Sequence, residues 1–289
     1  MIKLVNILLF CFATLIAALS AKAENQFSIE VGGLYAKSTS EIEVTNNLTQ
    51  QNTRLNLESD LGLEETELLP YLRLNYQLNT NHNFFLDWKQ LHRQAQVESV
   101  KYPFSFEYDG TIYTIHTGVK TDTTFNIDLT RLAYSYNFWN TDNFSMGGII
   151  GLHAMDILIS FKGDITACSS EVLNQDNCNE FTPVDTAEKS QLYPLPNFGL
   201  FARYQITDNV SIKSHVQYFS ASIDKYSGGL IDLSASVDTA LSENWFLAFA
   251  FNYYEVDLNE EKTKKEINVA NYNYFYKFIG PSASIKYQF

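Results

Sequence analysis

The residues best suited to acid–base chemistry in this sequence are His153 and Asp156, in the stretch GLHAMD. A histidine close to a carboxylate can act as a tuned general base. A simple interior hydrogen bond is the expected role of His153, and catalysis is the alternative. The sequence contains no G-x-S-x-G elbow, H-E-x-x-H pair, P-loop or dinucleotide fingerprint. These absences exclude the commonest enzyme families, so a non-enzymatic role is favoured.

Two cysteines, Cys168 and Cys178, lie in a polar stretch with nine residues between them. In an exported protein this spacing predicts a local disulfide that closes one loop. Two free thiols are the alternative. We expect no metal site here, because no histidine lies near either cysteine, and we expect no cofactor.

Amphipathic strands must position these residues. The final stretch, FYKFIGPSASIKYQF, places Ile285, Tyr287 and Phe289 on one side and Lys286 and Gln288 on the other, which is the two-residue period of a strand. Nine earlier stretches between residues 26 and 258 have the same period. Four short Asn-, Asp- and Ser-rich turn signals separate them in pairs, at residues 79–82, 140–143, 207–209 and 242–244. Short turns that alternate with long polar loops are typical of outer-membrane barrels.

The predicted fold is therefore all-β: a transmembrane, antiparallel, up-and-down β-barrel with short periplasmic turns and long extracellular loops. Ten strands are predicted, an even number that leaves both chain ends on the periplasmic side. The Asp109-Gly110 dipeptide is a strong hairpin signal. We interpret its two flanking segments as extensions of the strands above the membrane. If they cross the bilayer instead, the barrel has twelve strands.

The inward face of the predicted strands carries most of their charged and polar side chains. Such charges are costly inside a small barrel unless they are paired or wet. A plugged or very narrow, salt-bridged lumen is expected. The alternative is a narrow wet path that Arg73, Arg131 and Arg203 would make selective for anions. The predicted lumen-lining residues are Arg73, Asp87, Lys89, Arg131, Arg203, Lys213, His215, Asp232 and Lys286, with Glu30 and Asp238 as possible partners.

The N-terminus predicts export. Residues 1–23 have a basic start, an apolar run and an Ala21-Lys22-Ala23 cleavage pattern, so we expect a cleaved signal peptide followed by one barrel domain, residues 24–289. No later stretch is apolar enough for a spanning helix. Aromatic residues form 15% of the chain, which favours two interfacial girdles. A formal charge of −13 argues against nucleic-acid binding, because the chain would repel phosphates.

The predicted external loops hold most of the negative charge. Next to anionic lipopolysaccharide, they could share divalent cations with lipid phosphates, although a solvated acidic surface is the expected state. The longest N-terminal loop, residues 38–67, contains Asp60-Leu61-Gly62-Leu63, which could fold onto the barrel mouth as a lid. An ordinary solvated loop is the expectation there.

The whole mature sequence resembles the small outer-membrane β-barrel proteins of Gram-negative bacteria. The stretches GLH (151–153) and PLPNFGL (194–200), with the final YQF, look like an uncharacterised proteobacterial barrel family. The resemblance implies a location in the cell outer membrane, contact with outer-membrane lipid and lipopolysaccharide, insertion by the barrel-assembly machinery and a monomeric state. It implies no known activity. Omptin-type surface proteases are also ten-stranded, but the sequence lacks the adjacent aspartate pair that they use.

Three functions are consistent with these features. The first is a structural or surface-interaction barrel with a narrow, charge-filled lumen. The second is a narrow, porin-like pore for small, preferentially anionic solutes. The third is a membrane-embedded lipid hydrolase that uses His153 and Asp156.

Overall fold

The computed structural model describes residues 26–47, 50–101, 103–108, 111–169, 182–223, 225–264 and 267–289. The predicted signal peptide lies outside these residues, and so does Cys178, so the Cys168–Cys178 disulfide stays a prediction. No helix in the described ranges is long and apolar enough to cross a membrane. The strands are β1 (Gln26–Asn46), β2 (Gln51–Asn56), β3 (Thr66–Gln77), β4 (His82–Val97), β5 (Phe104–Tyr108), β6 (Thr111–Ile115), β7 (Thr121–Asn140), β8 (Phe144–Ser169), β9 (Thr182–Thr207), β10 (Val210–Ile223), β11 (Tyr226–Ala240), β12 (Trp245–Lys264) and β13 (Ile267–Gln288).

Ten of these strands close into an antiparallel ring. The order is β1-β3-β4-β7-β8-β9-β10-β11-β12-β13, and β13 pairs back with β1. The prediction of ten strands is confirmed. The β5–β6 hairpin around Asp109-Gly110 has only five residues in each strand and pairs with the far end of β8. Since a membrane strand needs about 9–11 residues, this hairpin is too short to cross a bilayer, and the twelve-strand alternative is wrong.

The two ends of the barrel differ. At one end, four short turns join β3 to β4, β7 to β8, β9 to β10 and β11 to β12, and both Gln26 and Phe289 lie there. The backbone N–H of Phe289 donates to the carbonyl of Phe27 at 2.9 Å, and the two rings contact each other at 5.6 Å. We call this the turn end. At the opposite end, called the outer end, the strands run further than predicted, so that β8 and β9 each have 26 residues.

The apolar side of the strands changes from the outside to the inside partway along the barrel. Near the turn end of β7, the side chains of Leu132, Tyr136 and Phe138 are exposed on the outer surface. Nearer the outer end, Phe125 and Ile127 are buried on the inner side. In β12, Phe249 and Phe251 are likewise exposed outward, whereas Tyr254, Val256 and Leu258 are buried inside. An apolar belt therefore surrounds the half of the barrel nearest the turns, and an apolar core fills the other half.

The segment between β2 and β3 is part of that inner core. Leu57, Leu61 and Leu63 are 0%, 0% and 3% exposed and pack against inward side chains of the barrel wall. The expectation of a solvated loop at residues 38–67 is therefore wrong, because its first part extends β1, its second forms β2 and its third folds inward. We call residues 57–63 the plug segment. Gly62 permits its turn, with φ +72°.

A close backbone approach occurs where β13 meets β1. A Cβ atom on Gly280 would lie 2.0 Å from the carbonyl oxygen of Tyr35. No side chain fits at that distance, so only glycine allows the two strands to pack this closely.

Candidate functional site

A charge ladder of six inward side chains crosses six neighbouring strands, from Lys286, two residues from the turn end of β13, to His153, nine residues from the turn end of β8. Each member lies directly opposite the next on a neighbouring strand, so opposite charges meet across the sheet from Lys286 to Arg131, and the imidazole of His153 ends the row. Strand pairing alone places these side chains in one row. The row is Lys286, Glu30, Arg73, Asp87, Arg131 and His153, on β13, β1, β3, β4, β7 and β8.

Asp87 is the centre of this ladder. Its Oδ1 accepts from Arg73 Nε at 2.6 Å, and its Oδ2 accepts from Arg131 Nε at 2.7 Å. The Asp87 and Arg131 side chains are both 5% exposed. Glu30 contacts the other side of Arg73 at 3.8 Å. Carboxylates and guanidiniums therefore satisfy one another, with Asp87 and Arg131 buried and Arg73 partly exposed to the cavity below.

The layer also spans the lumen. Arg131 Nη1 donates to Asp232 Oδ2 at 2.9 Å, although β7 and β11 stand four strands apart around the ring. Asp232 Oδ1 lies 3.2 Å from His215 Nε2, and Asp232 Oδ2 accepts from Gln217 Nε2 at 3.2 Å. These contacts join opposite walls of the barrel through side chains.

His153 is a buried member of this network. It is 1% exposed, its ring stacks on that of Tyr254 at 5.9 Å, and its Nε2 accepts from Asn197 Nδ2 at 2.9 Å. Asn197 Nδ2 also donates to Gln217 Oε1 at 2.6 Å. With Nε2 accepting, the imidazole carries its proton on Nδ1 and is held in place by neighbours.

The structure does not bring His153 and Asp156 together. Residues three apart on a strand lie on opposite faces, so His153 points inward while Asp156 is exposed on the outer surface, where Ser190 Oγ lies 3.5 Å from its Oδ1. The two residues therefore do not form an acid–base dyad. Within the described residues, no three His, Cys, Asp or Glu side chains are grouped to hold a metal ion.

Seven of the nine predicted lumen residues surround a polar cavity of about 480 Å³ at the turn end. It extends from turn residues such as Asn79 and Asn140 up to the charge ladder. Asp87 and Asp232 are also inside the barrel, behind this surface, where both bind Arg131. The residues of the predicted set that line the cavity are Arg73, Lys89, Arg131, Arg203, Lys213, His215 and Lys286.

A second buried ion pair fixes the plug segment. Arg93 Nη1 donates to Glu58 Oε1 at 2.6 Å, and the two side chains are 2% and 6% exposed. Arg93 also donates to the carbonyl of Glu64 at 3.1 Å, and Glu58 Oε2 accepts from the backbone N–H of Ser40 at 2.9 Å. Sequence reasoning missed this pair, although Arg93 follows Asp87, Lys89 and Leu91 at the same two-residue spacing.

Comparison with solved structures agrees with this architecture. The chain is similar to the outer membrane protease OmpT from Escherichia coli, with a TM-score of 0.55 and 10% identity over 93% of this chain and 99% of that one. It also matches the toluene transporter TodX of Pseudomonas putida (TM-score 0.33, 9% identity, 93% and 90% coverage) and the attachment invasion locus protein Ail of Yersinia pestis (TM-score 0.28, 8% identity, 92% and 100% coverage).

This chain has the fold of an outer-membrane β-barrel. That fold agrees with the predicted location in the cell outer membrane. No family model matches the barrel, and no curated protein matches it. At 10% identity, the likeness to OmpT concerns the fold alone.

Proposed function

We propose that this barrel is a structural or surface-interaction protein with a closed lumen, rather than a pore or an enzyme. The observation that carries the proposal is the apolar core in the outer half of the barrel. Phe161, Tyr254 and Phe278 are each at most 2% exposed there and occupy the space that a channel would need.

Two further layers support a closed lumen. Below the apolar core, the contact between Arg131 and Asp232 bridges the barrel from wall to wall. Above the turn-end cavity, the plug segment adds Leu57 and Leu61 to the core and is held by Arg93. An ion moving along the axis would have to break a buried salt bridge and then enter a hydrocarbon-like interior, both of which are costly.

The strand extensions at the outer end support a role in surface interaction. Just beyond the apolar belt, the outward side chains become acidic, as with Asp128, Asp156 and Asp257. By the rule that long loops face outward in such barrels, these carboxylates would lie beside the lipopolysaccharide headgroups. There they could share divalent cations with lipid phosphates. The buried ion pairs make the interior rigid, and the strand extensions form a long external wall. Both features suit a rigid scaffold that presents its outer end to a binding partner.

Planar-bilayer conductance tests the proposal. Purified, folded protein should leave the bilayer electrically silent, with insertion verified separately by co-flotation with liposomes and protection from protease. A steady ohmic conductance from inserted wild-type protein would overturn the closed-lumen proposal in favour of the pore. An intact lipid A profile after expression of the protein in a heterologous outer membrane is also expected, and a deacylated one would favour the hydrolase.

A further inference from the structure

The turn-end cavity has a charge balance opposite to that of the chain. Six basic side chains line it, Arg73, Lys89, Arg131, Arg203, Lys213 and Lys286. Four carboxylates accompany them, with Glu30 and Asp238 in the cavity wall and Asp87 and Asp232 just behind it. The cavity therefore has an excess of two positive charges in a chain whose formal charge is −13.

Three of these cations form no salt bridge. Among the side chains that the structure describes, Lys89, Arg203 and Lys286 have no carboxylate oxygen within the 4.0 Å of a salt bridge. Lys286 Nζ lies 4.1 Å above the ring of Phe246, and Lys89 Nζ lies 5.7 Å from the ring of Phe278. Arg203 Nη2 donates to Gln205 Oε1 at 3.0 Å, which is a neutral acceptor.

Like charges also face each other at the cavity wall. Arg203 and Lys213 are directly opposite in the pairing of β9 with β10, and both line the cavity. Two like charges at that position destabilise a sheet. Lys213 contacts Asp238, which offsets one of the two charges and leaves the guanidinium of Arg203 to solvent or to a ligand.

The three cations without a salt bridge lie at two depths. Arg203 is four residues from the end of β9 at the turn, and Lys286 is two residues from the end of β13. Lys89 is seven residues from the start of β4, beside the charge ladder. The wall between them consists largely of neutral hydrogen-bonding groups, such as Ser234, Asn252 and Ser284. The volume of about 480 Å³ is in the range of small-ligand sites, about 300–1,000 Å³.

We infer that this cavity is a periplasm-facing binding site for a small soluble anion with at least two negative charges, such as a phosphate ester or a tricarboxylate. Arg203 and Lys286 would bind one anionic group near the mouth, and Lys89 would bind a second at depth. Serine and amide groups would hydrogen-bond the polar body of the ligand. The site is blind, since the contact between Arg131 and Asp232 and the apolar core lie above it, so the anion enters and leaves by the same side.

Calorimetric titration of the full folded chain in zwitterionic detergent tests this site, with citrate and inorganic phosphate as charged probes and glucose as the neutral probe. We expect citrate to bind at low salt, more weakly at 150 mM salt, and glucose not to bind. Arg203→Gln and Lys286→Gln should each weaken citrate binding about tenfold, since a hydrogen bond to a charged group is worth about one such factor. Both residues lie near the mouth, so the variants should fold.

Lys162→Gln is the matched control, because Lys162 is an exposed lysine on the outer side of β8. It should leave citrate binding unchanged. An absence of heat with citrate and phosphate at millimolar concentration in low salt would overturn the inference. So would an equal loss of affinity in Lys162→Gln and Arg203→Gln, which would show non-specific attraction. Binding accompanied by citrate conductance across a bilayer would uphold the site while overturning the closed lumen, so the two proposals fail separately.

Discussion

Asp87→Asn is the most informative single change in the barrel interior. The substitution keeps the shape of the side chain but removes the charge that two guanidiniums share. Asn has one acceptor oxygen and one NH2 donor group, so it can satisfy Arg73 or Arg131 but must point N–H groups at the other. Both Asp87 contacts, at 2.6 Å to Arg73 Nε and 2.7 Å to Arg131 Nε, are affected.

The expected loss is about 3 kcal/mol of unfolding free energy. Removing one partner of a buried ion pair costs about 3–5 kcal/mol. The lower figure applies because neither arginine loses all negative neighbours: Arg131 keeps Asp232 at 2.9 Å, and Arg73 keeps Glu30 at 3.8 Å.

Urea unfolding of the protein in liposomes, followed by tryptophan fluorescence, measures this loss. Asp128→Asn is the matched control, because Asp128 is half-exposed on the outer surface and contacts only His92, at 3.3 Å, among the ion pairs of the described residues. Its effect should stay within about 0.5 kcal/mol. A loss below about 1 kcal/mol for Asp87→Asn, with an unchanged urea slope, would refute the reasoning, because it would mean that water already solvates the ladder.

Three further changes test other parts of the barrel. Arg93→Ala should lower the unfolding free energy by about 3–5 kcal/mol, because Glu58 stays buried without its partner. Proteinase K should then cut the plug segment. Resistance to proteinase K equal to that of the wild type would show that Arg93 does not hold this segment. Gly280→Ala should lower the unfolding free energy by about 1–3 kcal/mol through overpacking against Tyr35. Gly148→Ala is the control and should be near neutral, because its Cβ would lie 3.9 Å from the nearest atom. Equal effects of the two substitutions would argue against close packing of β1 with β13. His153→Leu should cost about 1 kcal/mol because it removes the buried hydrogen bond from Asn197 to the imidazole, while Asp156→Asn should change stability by less than about 0.5 kcal/mol. Strong coupling between these two variants in a double-mutant cycle would contradict their placement on opposite faces.

The strand number, the four turns and the inward charges follow from the sequence because each depends on local information. Alternation over eight to ten residues identifies a membrane strand, and Asn, Asp and Ser mark the tight turns. The filled outer half did not follow, because Leu57, Leu61 and Phe161 were interpreted as loop residues and the inward apolar residues of the predicted strands, such as Ile127 and Val256, were not recognised as a core. The sequence does contain a signal for it. Within β7, the apolar residues occupy even-numbered positions at Leu132 and Tyr134 but odd-numbered positions at Phe125, Ile127 and Leu129. Alternation that continues with the opposite phase indicates strands that leave the lipid and begin to enclose a core.

The site was less accessible from the sequence than the fold. Which charges meet depends on strand register, and a shift of one residue would turn every side chain to the other face. The pairing of Arg73, Asp87 and Arg131 requires the register of the β3–β4 hairpin and the alignment of β4 with β7 at once. The contact between Arg131 and Asp232 depends on the diameter and tilt of the closed ring. The error with His153 and Asp156 was of another kind, since a spacing of three suits a helix and separates residues on a strand.

The change of apolar face also fixes how deeply the protein sits in its bilayer. A spanning segment in a thicker or thinner membrane usually adjusts by tilting or by small vertical movement. This barrel has little freedom to do so, because the outward side chains beyond the belt include the carboxylates of Asp128, Asp156 and Asp257. Moving these groups into hydrocarbon would cost more than deforming the lipid around them. The surrounding bilayer should therefore adopt the thickness of the apolar belt. The barrel would determine the local hydrophobic thickness of the membrane around it.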